Sequence, residues 1–152
     1  MPQTELRQSA SRFLSLMMRL RRLAPLQAAQ ISPSAMAIID YVAETPYSGI
    51  KEIAQGLRVS TPTVSVAVRQ LEDSGYIGRQ PHPSDKRAVQ IFLTEKGQAL
   101  YDETYKSRSE TFEELLAVLE PEEKEQLLDL LEKALETTPL TQAASPKGKK
   151  NG

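Results

Sequence analysis

The sequence predicts a mainly helical (α+β) chain in which one short β-hairpin interrupts the helices. Apolar residues recur at helical spacing near both ends of the chain and in its middle, which is the pattern of amphipathic helices. In the segment AVQIFLT the period changes to two, as in a strand that turns one face to a core. The stretch HPSDKRA, residues 82–88, precedes it and is typical of a turn.

Length and composition exclude several classes of protein. A chain of 152 residues suits one domain with room for an oligomerisation element, and its 39% of apolar residues leaves part of the core to a second chain. The absence of cysteine excludes disulfides, iron–sulfur clusters, thiolate zinc sites and cysteine redox sensing. His82 is the single histidine, which disfavours a nucleophile–histidine pair and a His-rich metal site. We therefore expect no metal, no cofactor and no enzymatic activity.

The charge is divided unevenly along a chain of formal net charge -1. Residues 110–136 carry ten acidic side chains against only Lys124 and Lys133, whereas residues 51–92 are mildly basic. Ordinary solvated faces remain an alternative explanation of this pattern. No window approaches the roughly 20 apolar residues of a membrane span, so we expect a soluble, cytoplasmic protein.

The first two helices are predicted from their spacing and their boundaries. The apolar positions Leu6, Ala10, Phe13, Met17 and Leu20 form a heptad-like seam that suits packing against another helix. A proline at position 25 is expected to end or kink this helix. The next helix is predicted to begin after residue 32, with a proline at its first position.

The middle of the chain predicts two helices joined by a very short turn. One helix ends near residue 58, and Ser60 is a suitable N-cap for the next, predicted over residues 61–74. Such helices must cross, as in a helix-turn-helix. In the second helix the predicted buried stripe consists of Val64, Ala67, Val68 and Leu71.

The outward face of this second helix suits the major groove of DNA. Hydroxyl groups and helix N-terminal amides bind phosphates or base edges, and an arginine pairs with guanine. The alternative is that the hydroxyl residues only start a helix. The candidate DNA-contacting residues on this helix are Ser60, Thr61, Thr63, Ser65 and Arg69.

The hairpin after this helix completes a recognisable order of elements. Gly75 is predicted to cap the helix in the left-handed conformation, and a strand begins at Tyr76-Ile77. The order helix, turn, helix, strand, basic loop, strand is that of a winged helix-turn-helix, which we place at residues 32–94. A basic wing beside an exposed helix offers two elements that contact DNA.

In its ordered motifs the sequence resembles the MarR (multiple antibiotic resistance regulator) family. The run LEDSGYIGRQPHPSDKRAVQIFLTEKG is similar to the wing signature of that family, and IAQGLRVSTPTVSVAVRQLEDSG to its helix-turn-helix. The resemblance covers about residues 5–136. It implies a homodimeric transcription regulator, most simply a repressor, that binds pseudo-palindromic double-stranded DNA. A winged-helix module for protein contacts, without DNA binding, is the alternative.

The resemblance also assigns roles within the wing. Arg87 would enter the minor groove, and Asp85 would hold the Arg87 guanidinium in place through a charge-assisted bond. Lys86 would contact phosphate. The alternative is that Asp85 and Arg87 form only an ordinary surface pair.

The terminal helices, in residues 1–31 and 95–137, would form the dimerisation region. Arg108 interrupts an apolar seam there, and it either pairs with an acid across an interface or turns outward. A monomer that folds its own terminal helices is the alternative. The candidate dimerisation residues are Leu6, Phe13, Met17, Leu20, Phe112, Leu115, Leu119, Leu127 and Leu131.

The family resemblance further implies a small aromatic effector bound between the dimer helices and the winged-helix unit. The candidate pocket residues are Phe13, Met17, Tyr41, Tyr101 and Tyr105, although each also suits a plain core position. The tail, residues 138–152, is rich in Pro, Gly, Ser, Thr and Lys and is predicted to be disordered.

Overall fold

The structure, a computed structural model, describes residues 3–23 and 31–137. The predicted stop or kink at residue 25 and the predicted disorder of residues 138–152 lie outside these ranges. In chain order the elements are α1 (Gln3–Leu23), α2 (Pro33–Glu44), α3 (Ile50–Leu57), α4 (Thr61–Asp73), β1 (Ile77–Pro81), β2 (Val89–Leu93), α5 (Glu95–Ala117) and α6 (Pro121–Thr137).

Side-chain caps fix the starts of three helices. The hydroxyl of Ser32 accepts a hydrogen bond from the amide of Ala35 at 3.2 Å, where α2 begins. Thr94 caps α5 in the same way, accepting from the amide of Gly97 at 3.1 Å. Ser60 does so for α4, as the sequence predicted. These bonds satisfy amides that the first helical turn otherwise leaves without a partner.

The two strands form an antiparallel hairpin. Ile77 lies opposite Leu93 at its base, and Pro81 lies opposite Val89 toward its tip. Ser48, in the turn between α2 and α3, adds a bridge by accepting a hydrogen bond from the amide of Ile91 at 2.9 Å. The middle of the hairpin is therefore joined to the helical unit through the backbone.

The buried apolar residues of the described chain all lie between residues 35 and 91. They include the whole predicted stripe of α4, because each stripe residue faces α2, α3 or the hairpin. By contrast, α1 has no buried residue and α5 buries only Gly97. The buried set is Ala35, Met36, Ile38, Ile39, Val42, Ile53, Ala54, Val64, Ala67, Val68, Leu71, Ile77 and Ile91.

This architecture confirms the predicted fold class. Over the described residues it is mainly helical, with six helices and a two-stranded wing that follows a helix-turn-helix. The predicted end of the second central helix is right to within one residue, because α4 ends at Asp73. Gly75 has φ +80°, as expected of the left-handed residue that ends α4.

Candidate nucleic-acid interface

The first turn of α4 presents hydroxyl groups on a face turned away from the core. Thr61 and Thr63 are exposed, whereas Ser65 is half-buried. The hydroxyl of Ser60 lies 2.6 Å from that of Thr63 and also accepts from the Thr63 amide at 3.3 Å. Arg69, two turns along, is exposed. The predicted contact residues of α4 therefore all lie outside its buried stripe, with the Ser60 hydroxyl already used in capping.

The turn that precedes α4 contains a residue in an unfavourable backbone conformation. Arg58 has φ 56° and ψ 41°, in the left-handed region that side chains other than glycine rarely adopt. Its amide donates to the carbonyls of Ala54 and Gln55, which closes the end of α3. Sequence reasoning missed this conformation, because an arginine carries no signal for positive φ. The side chain of Arg58 is exposed beside the start of α4.

The tip of the wing is a tight turn with exposed cationic side chains. The amide of His82 donates to the carbonyl of Ala88 at 2.9 Å, which closes the loop. Lys86 and Arg87 are both exposed at its end. Two positive charges are thus carried clear of the helical unit.

Asp85 contacts Arg87 in a different way from the one predicted. The Asp85 Oδ1 atom accepts a hydrogen bond from the Arg87 backbone amide at 2.9 Å. Among the ion pairs of the described residues, none joins the Asp85 carboxylate to the Arg87 guanidinium. The physical reason is that an amide two residues ahead is a natural partner for an aspartate in a turn, whereas an exposed ion pair gains little in water.

An ion pair ties the end of α4 to the wing. The Nε atom of Arg79 in β1 donates to the Glu72 carboxylate of α4 at 2.7 Å. Lys96 of α5 adds a second tie, because its ammonium donates to the Ser74 carbonyl at 2.7 Å and lies 4.3 Å from the centre of the Tyr76 ring. The first contact joins the wing to α4, and the second joins the start of α5 to the end of α4. The sequence held a signal for the first pair, since both residues belong to LEDSGYIGR.

The residues predicted for dimerisation are largely exposed in the single chain. Leu6 is 65% exposed and Phe13 51%, while Phe112, Leu115 and Leu127 are each close to 38%. Met17 is exposed in a similar way, and Leu20, Leu119 and Leu131 are half-buried. Further apolar side chains on α1 and α6 are exposed, namely Leu14, Leu16, Met18, Leu23, Leu128, Leu130 and Leu135.

Arg108 adopts neither of the two arrangements predicted for it. Its two terminal nitrogens donate to the two carboxylate oxygens of Asp40 on α2, at 2.9 and 2.7 Å, and its Nε donates to the Thr104 carbonyl. The partner is therefore an acid of the same chain. The pKa of Arg108 is raised, first by the hydrogen bond to Asp40 and against the effect of partial burial. No sequence pattern links residues 68 positions apart, so this pair was not predictable.

A cavity of about 360 Å³ lies between α2 and α5 beside this ion pair. Of the five predicted pocket residues, Tyr101 and Tyr105 line it. Tyr41 instead packs its ring over Gly56 of α3, and Phe13 and Met17 are exposed on α1. The remaining lining residues, which the sequence did not single out for a pocket, are Asp40, Glu44, Arg108, Ser109 and Phe112.

The acidic groups of the cavity affect one of its tyrosines. The pKa of Tyr101 is raised, mainly by burial and then by the negative charges of Glu44 and Asp40. The two tyrosine rings lie 5.7 Å apart between centres and are inclined at 34°. In the part of the chain that the structure describes, no group of His, Asp and Glu residues is placed to hold a metal ion. Within that same part, no helix has the length and apolar character needed to cross a membrane.

Comparison with known proteins identifies the family. Residues 31–89 match the MarR family. The HTH-type transcriptional regulator BilQ of Clostridium symbiosum is 31% identical over 108 residues, which cover 71% of this chain and 75% of that protein. Both are matches to transcriptional regulators, which supports the expectation that the chain is not an enzyme.

Solved structures agree with this assignment. A MarR/EmrR family transcriptional regulator from Acinetobacter sp. ADP1 is 29% identical, with a TM-score of 0.66 over 86% of this chain and 94% of that one. The S. aureus MepR–DNA complex is 26% identical, with a TM-score of 0.68 over 85% of this chain and 97% of that one. The chain therefore belongs to the MarR family of winged helix-turn-helix, DNA-binding transcriptional regulators.

Proposed function

We propose that the protein is a homodimeric repressor that binds a pseudo-palindromic operator, and that a small aromatic effector changes its affinity for that operator. The observation that carries the proposal is the pairing of two exposed, DNA-suited elements, α4 and the wing, on one self-contained core. The S. aureus MepR–DNA complex, which shares the fold, supports it. Residues 32–94 form the DNA-binding unit in this proposal.

In this proposal α4 lies in the major groove. Thr61, Thr63 and Ser65 offer short hydroxyl groups at the start of the helix, where the amides also favour phosphate. Arg69 reaches base edges further along the groove. Ser60 contributes mainly by fixing the first turn, because its hydroxyl already accepts from the Thr63 amide.

The wing supplies the second contact, with Arg87 in the minor groove and Lys86 on phosphate. The Asp85 carboxylate accepts a hydrogen bond from the Arg87 backbone amide. In this proposal that bond fixes the turn from which the Arg87 side chain projects. This role differs from direct support of the guanidinium. The two roles are distinguishable, because asparagine retains the Oδ1 acceptor but not the negative charge.

The apolar faces of the terminal helices support a dimer built from residues 1–31 and 95–137. Among the side chains whose burial the structure describes, neither α1 nor α6 contributes a buried residue, although both carry rows of leucine and other large apolar side chains. Exposed apolar area of this extent marks an interaction surface. A second copy of the chain is the occupant we propose, because the heptad-like seam of α1 suits pairing of helices. A two-fold dimer then presents two α4 helices to half-sites about one DNA turn apart.

The cavity between α2 and α5 is the proposed effector site. It lies where the DNA-binding unit meets a helix of the dimerisation region, and Tyr101 and Tyr105 give it aromatic walls. A ligand there changes DNA affinity only by binding two arrangements of these helices unequally.

Selection of bound sequences from a random DNA pool is the experiment that tests the function. A pseudo-palindrome with half-sites about 10 base pairs apart is expected. No enrichment at moderate salt would contradict sequence-specific binding and favour a module for protein contacts. Sedimentation of the free protein tests the dimer independently, with Leu131→Lys expected to dissociate it.

Variants of the wing test the residue roles on the selected operator. Arg87→Ala is expected to weaken binding by about 1–3 kcal/mol, while Lys106→Ala, which removes a positive charge from α5, leaves it unchanged. Asp85→Ala is expected to weaken binding in a less than additive way with Arg87→Ala. Rescue by Asp85→Asn supports the backbone role, and its failure points to the guanidinium instead. Equal affinity of Arg87→Ala and the unchanged protein would refute the wing assignment.

A further inference from the structure

The cavity between α2 and α5 has a charge pattern that selects among aromatic ligands. Two carboxylates, Asp40 and Glu44, enter it from α2, and one guanidinium, Arg108, enters it from α5. Three aromatic rings, those of Tyr101, Tyr105 and Phe112, complete the wall on the α5 side. The volume of about 360 Å³ suits a small ligand.

The single positive group of the cavity is already paired. Both terminal nitrogens of Arg108 donate to the Asp40 carboxylate, at 2.9 and 2.7 Å, and the third nitrogen donates to the Thr104 carbonyl. The side chains of Arg108 and Asp40 are only 20% and 23% exposed. An anionic ligand that takes Arg108 must therefore leave Asp40 charged, largely buried and without its partner, which is costly.

The negative charge that remains is that of Glu44. Within the described residues Glu44 has neither a side-chain hydrogen bond nor an ion pair, and it is an exposed residue that lines the cavity. Its field reaches the ring wall, because Glu44 is the largest charged contributor to the raised pKa of Tyr101. The cavity thus combines an unpaired carboxylate with aromatic faces, and both attract a cation.

We propose that this cavity binds a small aromatic organic cation, such as a quaternary ammonium or a protonated amine attached to a ring. The cationic centre lies between the Glu44 carboxylate and the faces of Tyr101 and Tyr105, and the ring of the ligand packs toward Phe112. This inference rests on the proposed effector site and specifies the chemical class of its ligand.

Direct binding measurements on the full chain test the ligand class without DNA. The probes are benzyltrimethylammonium, phenylacetate and benzyl alcohol, which have similar size and carry a positive, a negative and no charge. Calorimetry is expected to give an affinity for the cation at least about fivefold above that for either other probe. Tighter binding of phenylacetate, or equal binding of all three, would overturn the proposal.

Variants assign the binding to this cavity. Glu44→Gln is expected to lower the affinity for the cation about fivefold while leaving benzyl alcohol unaffected. Glu110→Gln is the matched control, because it removes the same charge from an exposed site on α5 that does not line the cavity. Tyr105→Phe keeps the ring and is expected to retain binding, whereas Tyr105→Leu lowers it. Unchanged affinity in Glu44→Gln would refute the site.

A gel shift on the selected operator separates this inference from the proposed function. Cation binding that leaves DNA affinity unchanged supports the site and contradicts its role as an effector site. Loss of DNA affinity with phenylacetate but not with the cation supports an effector and contradicts the ligand class proposed here.

Discussion

The ion pair between Arg108 and Asp40 allows a quantitative prediction about stability. The pair is bidentate, joins α5 to α2, and leaves about one fifth of each side chain exposed. Removal of one partner from a buried pair costs roughly 3–5 kcal/mol, whereas an exposed pair contributes roughly 0–1 kcal/mol. For this degree of exposure we expect Arg108→Met or Asp40→Asn to lower the free energy of unfolding by about 2 kcal/mol.

A double-mutant cycle measured by urea unfolding tests this value. The double variant is expected to lose about 1–2 kcal/mol less free energy of unfolding than the two single variants lose together. The reason is that each single variant leaves one charged group without its partner, whereas the double variant contains neither group. All four proteins must be compared at one protein concentration, since the stability of a dimer depends on it. The exposed pair Lys106–Glu110, at 4.0 Å, is the control and is expected to show coupling below about 0.5 kcal/mol. Additive effects at Arg108 and Asp40 would refute the reasoning.

The sign of the pKa shift of Arg108 sets the pH range of this experiment. Because its folded pKa is raised, the contribution of Arg108 is fully present below its ordinary pKa and is lost only as pH rises through the still higher folded value. The coupling is therefore expected to be the same at any two neutral pH values. A coupling that weakens between about pH 6 and pH 9 would show that another titrating group contributes to it, because the Arg108 guanidinium stays charged throughout that range.

Three further predictions concern single positions. Gly97→Ala is expected to lower the free energy of unfolding in urea by more than about 2 kcal/mol, because the added Cβ meets the backbone carbonyl of Tyr76; tolerance of alanine would show that α5 packs differently. Ser60→Ala is expected to lower the free energy of unfolding by about 1 kcal/mol, because it removes the side-chain cap of α4. Ser60→Thr keeps a hydroxyl group at the cap and is expected to retain most of that stability. The raised pKa of Tyr101 means that stability is expected to fall as pH rises above 10.0, since the unfolded chain releases this proton first. Tyr101→Phe should reduce that fall in alkaline unfolding curves, and an unchanged slope would contradict the shift.

Periodicity predicted those parts of the fold that depend on which face of an element is buried. The stripe of α4 was predicted in full, because Val64, Val68 and Leu71 must lie on one side of any helix formed by this segment. The caps at Ser60 and Thr94 were predictable for a similar reason, since capping depends on a few neighbouring residues.

The contacts that the sequence did not reveal depend on residues in distant segments or on competition between local partners. Arg108 was assigned to an interface or to solvent because Asp40 is far away in sequence. Tyr41 was assigned to the pocket because its aromatic ring suits one, but Gly56 leaves a space on α3 that the ring fills. At Asp85 the residue types were informative, but they did not decide between the backbone amide and the guanidinium as partner.

The position of α2 explains how a ligand in the cavity would affect DNA binding. One side of α2 carries Asp40 and Glu44 into the cavity against α5, and its apolar side packs on α3, α4 and β2. A packed core is not continuously deformable, so a displacement of α2 moves the DNA-binding unit as a whole relative to α5. Such coupling must be reciprocal: if the proposed cation lowers operator affinity by some factor, operator DNA must lower cation affinity by the same factor. Calorimetry of the cation with and without operator measures that factor, and a cation affinity that operator DNA leaves unchanged would exclude this mechanism for the cavity.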